Sequence, residues 1–458
     1  MPLMSERTGG EISQLVLLIS AQNAEKGYNS RLQKNQRSRR DHMHRSLSVF
    51  FISLVMLLSA WSMPGAEEKA YDQLPVNRQI TDILPADKIK GEHYKVLNSV
   101  AVIGNMDNYK VDSDYGFFEV TGDGLLKKRL KEIQAIAILQ KIQGTDAFQK
   151  ALKTAAMSPV KFGENLVIDP VDTVSAVPKG VGQMFSNAYS SLTTKRQAGE
   201  DTSAEALAGL SKYKREYAYN LGVDVYSSNP VFQKELNKVA WAASADSLTF
   251  SAAMAPLGAV GTVISYSKFG KDVSDYLRDN PPSQIRRNAK DKLSSMRISN
   301  VDIKKFLENK SFSPRHTVVI VASLTQMRAV KGRDAFIRYV STAADEEQAN
   351  FMMNVAQTMR GYHEKVSPIK EITINSGFVV ASAQNNSVLI PLPIDYGVWT
   401  EKAEKILTNM ITTFRSPEGK ATFELWLTGT ASPIAKKSVE ALGIGLTEYA
   451  DKKLDFVD

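Results

Sequence analysis

The stretch Ser46–Ala66, SLSVFFISLVMLLSAWSMPGA, constrains this chain more than any other, because its 21 residues carry no charge. Arg37, Arg39, Arg40 and Arg45 precede it, and Glu67 and Glu68 follow. A basic flank before an apolar run sends the C-terminal body to the far side of a membrane. The apolar core, Leu47–Trp61, is fifteen residues long, the upper end for a signal peptide and short for a bilayer span. The full uncharged run just reaches across ~30 Å of hydrocarbon. Ala60-Trp61-Ser62 supplies the small residues that cleavage needs, and Pro64 stops the helix beyond. Residues 43–66 are therefore read as a signal peptide, with an uncleaved inner-membrane anchor as the alternative. The body is expected to be periplasmic or secreted. Met43 opens an ordinary signal sequence by itself, so residues 1–42 are expected to be a start-site artefact or a cytoplasmic preface.

Charge narrows the partners. The net charge is +8, and residues 1–66, with eight Lys/Arg and four Asp/Glu, contribute half of it. The body has no dense basic tract, which argues against nucleic acid as a partner. An envelope protein or lipid is the expected one. There is no cysteine, which excludes disulfides, thiolate metal sites and a cysteine nucleophile. With 43% hydrophobic residues, the body can bury a core large enough to fold without covalent staples.

The patterning predicts an α+β fold that is predominantly α-helical. Residues 67–94 read as a leader with little periodicity. Residues 95–142 read as a small hairpin-helix unit: Val96–Ile103 and Tyr109–Val120 are strand-like around a turn at Asn105–Asn108, and Leu125–Lys141 is helical. In that helix Leu126, Leu130, Ile133, Ala137 and Gln140 form the expected apolar line. Residues 143–312 read as a helical domain, with starts at Thr145, Ser203 and Asn229-Pro230, a helix at 181–192, and further helices at 271–278, 283–295 and 301–309. Residues 313–458 read as a mixed α/β unit. Its helices are expected at 314–321, 332–343, 345–363, 400–414 and after Ser432-Pro433; strands are expected at 372–381, 388–393, 422–427 and 444–449.

Four segments, Leu221-Gly-Val-Asp-Val-Tyr-Ser-Ser-Asn-Pro230, Arg278-Asp-Asn-Pro-Pro282, Val330-Lys-Gly-Arg-Asp-Ala-Phe-Ile337 and Trp426-Leu-Thr-Gly429, carry a resemblance. The chain resembles a family of uncharacterised secreted or periplasmic proteobacterial proteins, from about Lys90 to the end. The resemblance implies export and assigns no site.

Motifs for chemistry are sparse. Asp107, Asp112 and Asp114, with Glu119 and Asp123 nearby, form the densest acidic cluster, and Asp112 and Asp114 are the candidate metal ligands. Strand alternation would instead place Asp112 and Asp114 together on one solvated face. Thr121-Gly-Asp-Gly124 lies between strand and helix as a phosphate loop does, yet lacks the further glycine and the Gly-Lys-Ser/Thr of the known fingerprints. After the signal only His93, His316 and His363 remain, none in a zinc spacing. A hydrolase would need His363 or His316 beside an acid such as Asp395. His363 reads otherwise as a charged helix end. Tyr213, Tyr217 and Leu221 suggest one buried helix face, with Lys212, Arg215 and Glu216 outside. Ser247–Ser267 is a second uncharged run, rich in Gly, Ala and Ser, and reads as a close-packed core helix pair or a membrane contact. No cofactor is expected. The leading expectation is an exported cell-envelope protein that binds or scaffolds without catalysis. A metal-independent hydrolase of an envelope polymer or lipid is the alternative, and a membrane-active protein using Ser247–Ser267 the third.

Overall fold

A computed structural model describes residues 70–157, 201–246, 248–257, 267–415 and 421–457. The stretch Ser46–Ala66, residues 1–42 and the helix expected at 181–192 lie outside the described residues. Asp72–Asp458 forms one unit by its internal contacts, and its architecture is α+β with helices in the majority.

The first layer is an antiparallel sheet built around one long strand. Strands β1 (Val76–Gln79), β2 (Tyr94–Val96), β3 (Ser99–Ile103), β4 (Met106–Ser113) and β5 (Gly116–Thr121) make it up. β3 and β2 pair successively along one edge of β4, β5 takes the other edge, and β1 pairs with β3. Residues 67–94, expected to be an irregular leader, thus contribute β1 and the first residue of β2 to this sheet. The expected turn at Asn105–Asn108 is tighter and earlier: Gly104 and Asn105 adopt φ of 59° and 66°, the left-handed pair that a two-residue hairpin requires. A second reversal at Asp114-Tyr115 splits the expected long strand into β4 and β5.

Helix α1 (Asp123–Gln143) follows directly. Leu126 and Ile133 pack into the sheet core, while Ala135, Ile136, Ile138, Leu139 and Ile142 pack into a helical core on the far side. The helix is therefore buried on several faces, and the single apolar line read from sequence is too narrow: Glu132 is buried and Gln140 exposed. The helical core adds α2 (Asp146–Met157), α3 (Asp201–Leu221) and α4 (Pro230–Asp246). Thr145 Oγ1 accepts the Phe148 N–H at the start of α2, and Asn229 Oδ1 accepts those of Val231 and Phe232 at the start of α4. Helix α3 is already running at Ser203, which is therefore not its cap. Tyr217 and Leu221 are buried as expected, but so is Arg215, which donates to the Arg278 carbonyl and to Ser211 Oγ. Within Ser247–Ser267, Thr249 caps a short helix, Phe250–Met254, whose Ala253 joins this core with Leu248; residues 247 and 258–266 lie outside the described residues. Among the described residues no helix is long and apolar enough to cross a membrane.

The third core gathers α5 (Lys268–Asp279), α6 (Pro282–Ser295), α7 (Asn300–Glu308), α8 (Pro314–Gln326), α9 (Arg333–Val340) and α10 (Glu346–Lys365) against a second sheet. That sheet begins as an antiparallel meander, β6 (Ile369–Asn375), β7 (Phe378–Ala383) and β8 (Ser387–Leu392). The strand expected at 372–381 is two strands, because Ser376 and Gly377, at φ 49° and 80°, reverse the chain. The sheet continues in parallel through β10 (Thr422–Leu427) and β12 (Ile444–Thr447). Helices α11 (Glu401–Phe414) and α12 (Pro433–Ala441) lie in the two crossovers, as parallel pairing requires. Strands β9 (Tyr396–Gly397), before α11, and β11 (Thr430–Ala431), before α12, pair in parallel.

Candidate functional site

Each of the groups a hydrolase would need has a hydrogen-bond partner outside the set. His316 sits in the first turn of α8, where its Nδ1 accepts the Ser313 N–H at 3.0 Å and completes a capping box. It is buried near Lys128, and burial with that neighbouring cation pushes its pKa down to about 4. His363 Nδ1 accepts the Ile369 N–H at 2.9 Å and ties the end of α10 to the start of β6. An accepting ring nitrogen is neutral, and burial lowers this imidazole's pKa. That overturns the reading of His363 as a charged helix end. Asp395 bonds elsewhere: its Oδ2 accepts the Asp107 N–H at 3.0 Å and its Oδ1 the Asp123 N–H at 3.2 Å. None of these three residues is a hydrogen-bond partner of another among the described residues.

Asp395 is the centre of an acidic joint. Its loop is held by the β3–β4 turn, since the Asn105 carbonyl accepts the N–H groups of Asp395 and Tyr396. Gly429 must be small here: a Cβ would stand 1.9 Å from the Asp395 carbonyl oxygen. Asp107 is fully buried beside Arg78, whose Nη1 reaches its Oδ2 at 2.5 Å. Tyr109 donates its hydroxyl to Asp123 and lies 3.3 Å from Asp107 Oδ2. Arg78 also stacks on the Tyr396 ring, 4.5 Å from its centroid. Burial pushes Asp107 up to about 6 against the pull of Arg78, with Asp123 adding to the rise. Burial raises Asp123 as well, and burial with the Asp123 charge raises Asp395 well above the usual carboxylate range. The start of α1, at Asp123 within Thr121-Gly-Asp-Gly124, is therefore already occupied by the chain's own Asp395 carboxyl group. The arrangement fastens the second sheet's loop to the hairpin and helix.

The metal candidates part company. Asp112 is exposed on β4, whereas Asp114 lies in the turn after it and its Oδ2 stands 2.9 Å from His93 Nδ1. They do not share one strand face, because the chain turns between them. Among the described residues no group of three or more His, Asp or Glu is arranged to hold a metal ion.

A concave site lies elsewhere, between α6 and α7. These helices meet across the turn Met296–Ser299, where Arg297 adopts φ 63°. Ile285, Leu293, Ile303 and Leu307 turn into the core. The faces left outside enclose a cleft of about 500 Å³, with Arg286, Arg287 and Lys290 on the α6 side. Lys304 and Glu308 face them from α7, with Ile303 and Leu307 in the wall. Arg286 stands 3.8 Å from Glu308, and Arg287 donates to Gln284 at 2.5 Å. Neither Lys290 nor Lys304 has an ion-pair partner among the described residues. Four cations against one carboxylate give the cleft a strong positive bias, and its size is that of a small-molecule site. Sequence reading missed it because the cations come from two helices and make no tract; the recurrence at 286, 287 and 290 along one helix face was the available signal. Comparisons of this chain with models of protein families, with curated proteins and with solved structures find no match.

Proposed function

We propose that this is an exported cell-envelope protein whose task is binding rather than catalysis, with its ligand taken in the cleft between α6 and α7. The cationic cleft of about 500 Å³ is the observation that carries the reading. The arginine-led run Ser46–Ala66 supports export, with the body periplasmic or secreted after cleavage. The resemblance to secreted proteobacterial proteins agrees with it. Against the hydrolase alternative stand the separate structural bonds of His316, His363 and Asp395. The location is tested by fusing an alkaline phosphatase, active only outside the cytoplasm, after residue 100. High phosphatase activity that is lost when residues 46–61 are deleted is the expected outcome. An inactive fusion, with a cytosolic reporter active at the same point, would refute export.

A further inference from the structure

We propose that the α6–α7 cleft is a site for a small phosphate-bearing anion. This rests on the binding reading of the same cleft and names its ligand class. Arg286, Arg287, Lys290 and Lys304 line one cavity, with Glu308 the single acid among the described residues that line it. A monocarboxylate would leave most of that charge unmatched, whereas a phosphate ester or diphosphate brings two or more negative charges and several acceptor oxygens. A guanidinium offers a planar fork of N–H donors that fits phosphate oxygens two at a time, and lysine adds a mobile point charge. Both kinds of cation are present, and Lys290 and Lys304 are exposed side chains able to swing onto a ligand. Ile303 and Leu307, both buried in the core, close the floor of the cleft beneath these cations. Glu308, 3.8 Å from Arg286, holds that arginine when no ligand does. It acts as an internal competitor for the site.

The test is calorimetric titration of the purified full chain with inorganic pyrophosphate and, in parallel, with citrate, which carries comparable charge without phosphorus. Flotation with vesicles containing phosphatidic acid separates a lipid headgroup from a soluble phosphate. Pyrophosphate or phosphatidic acid vesicles should bind, and citrate should bind at least about tenfold more weakly, because its three carboxylates are spread over a branched carbon frame whereas pyrophosphate gathers its charge and acceptor oxygens on two linked phosphorus atoms. The double variant Lys290→Glu/Lys304→Glu alters exposed side chains, so it should keep the thermal midpoint and lose binding by about tenfold or more. Glu308→Gln should tighten binding, a gain that misfolding cannot imitate. Binding to pyrophosphate alone identifies a soluble phosphate, and binding to vesicles alone a lipid headgroup; both support the assignment. No binding of either, citrate binding as tightly as pyrophosphate, or binding unchanged in the double variant would overturn it. Those results leave the export reporter untouched, and a failed reporter leaves them untouched.

Discussion

Replacing Asp107 with Asn should stabilise this protein at neutral pH and leave it little changed in mild acid. Asp107 is fully buried, and its carboxyl is pushed up to about 6 from an ordinary 3.8. Two effects oppose there. The Arg78 guanidinium at 2.5 Å favours the charged form, while burial and the nearby Asp123 disfavour it more strongly. A carboxyl whose pKa rises on folding supports the fold below its unfolded pKa, and that support is lost as pH climbs through the folded value. A rise of this size corresponds to about 3 kcal/mol between pH 4 and neutrality. An asparagine keeps an acceptor oxygen for Arg78 and Tyr109. It puts its amide nitrogen where Asp107 Oδ1 has no hydrogen-bond partner, the place the O–H of the neutral acid would also take. The unmet donor is common to both, so the gain at neutral pH is at most about 3 kcal/mol. Urea unfolding followed by tryptophan fluorescence at pH 4.5 and 7.5 measures both effects. Wild type should lose stability between the two pH values, and Asp107→Asn should lose less. A variant equally destabilised at both pH values would show that the Arg78 ion pair outweighs burial and would refute the reasoning.

Three further outcomes follow from the same structure. Asn229→Ala removes the cap of α4 and the 3.1 Å bond to buried Glu132, and should cost about 2–4 kcal/mol in urea unfolding. Gly429→Ala drives a Cβ to 1.9 Å from the Asp395 carbonyl; displacing that backbone should lower stability by about 2 kcal/mol or more and weaken amide-exchange protection at Asp107 and Asp123. Ser313→Ala breaks the capping box of α8 and should cost about 1 kcal/mol, and an NMR titration should show the His316 ring changed while His363 is unmoved.

Local features of the sequence determined where many elements begin. Ser267, Ser299, Ser313, Thr400 and Ser432 each accept the N–H three residues on, at the starts of α5, α6's neighbour α7, α8, α11 and α12. Asn229-Pro230 opens α4 and Gly222, at φ 68°, follows α3, because capping and left-handed glycine act within a few residues. The same locality explains the helix at 314–321, where the cap outweighed a β-branched run. What neighbours could not decide was burial and partnership. Helix α1 looked one-sided until two cores closed on it, which buried Glu132 beside Arg129. Asp395 meets Asp107 and Asp123 across 288 and 272 residues of chain, and no spacing rule spans that distance. The α6–α7 cleft arises likewise only when two helix faces are set side by side. A side chain's charge and reach are properties of its residue, but its dielectric surroundings and its neighbours in space belong to the packed fold.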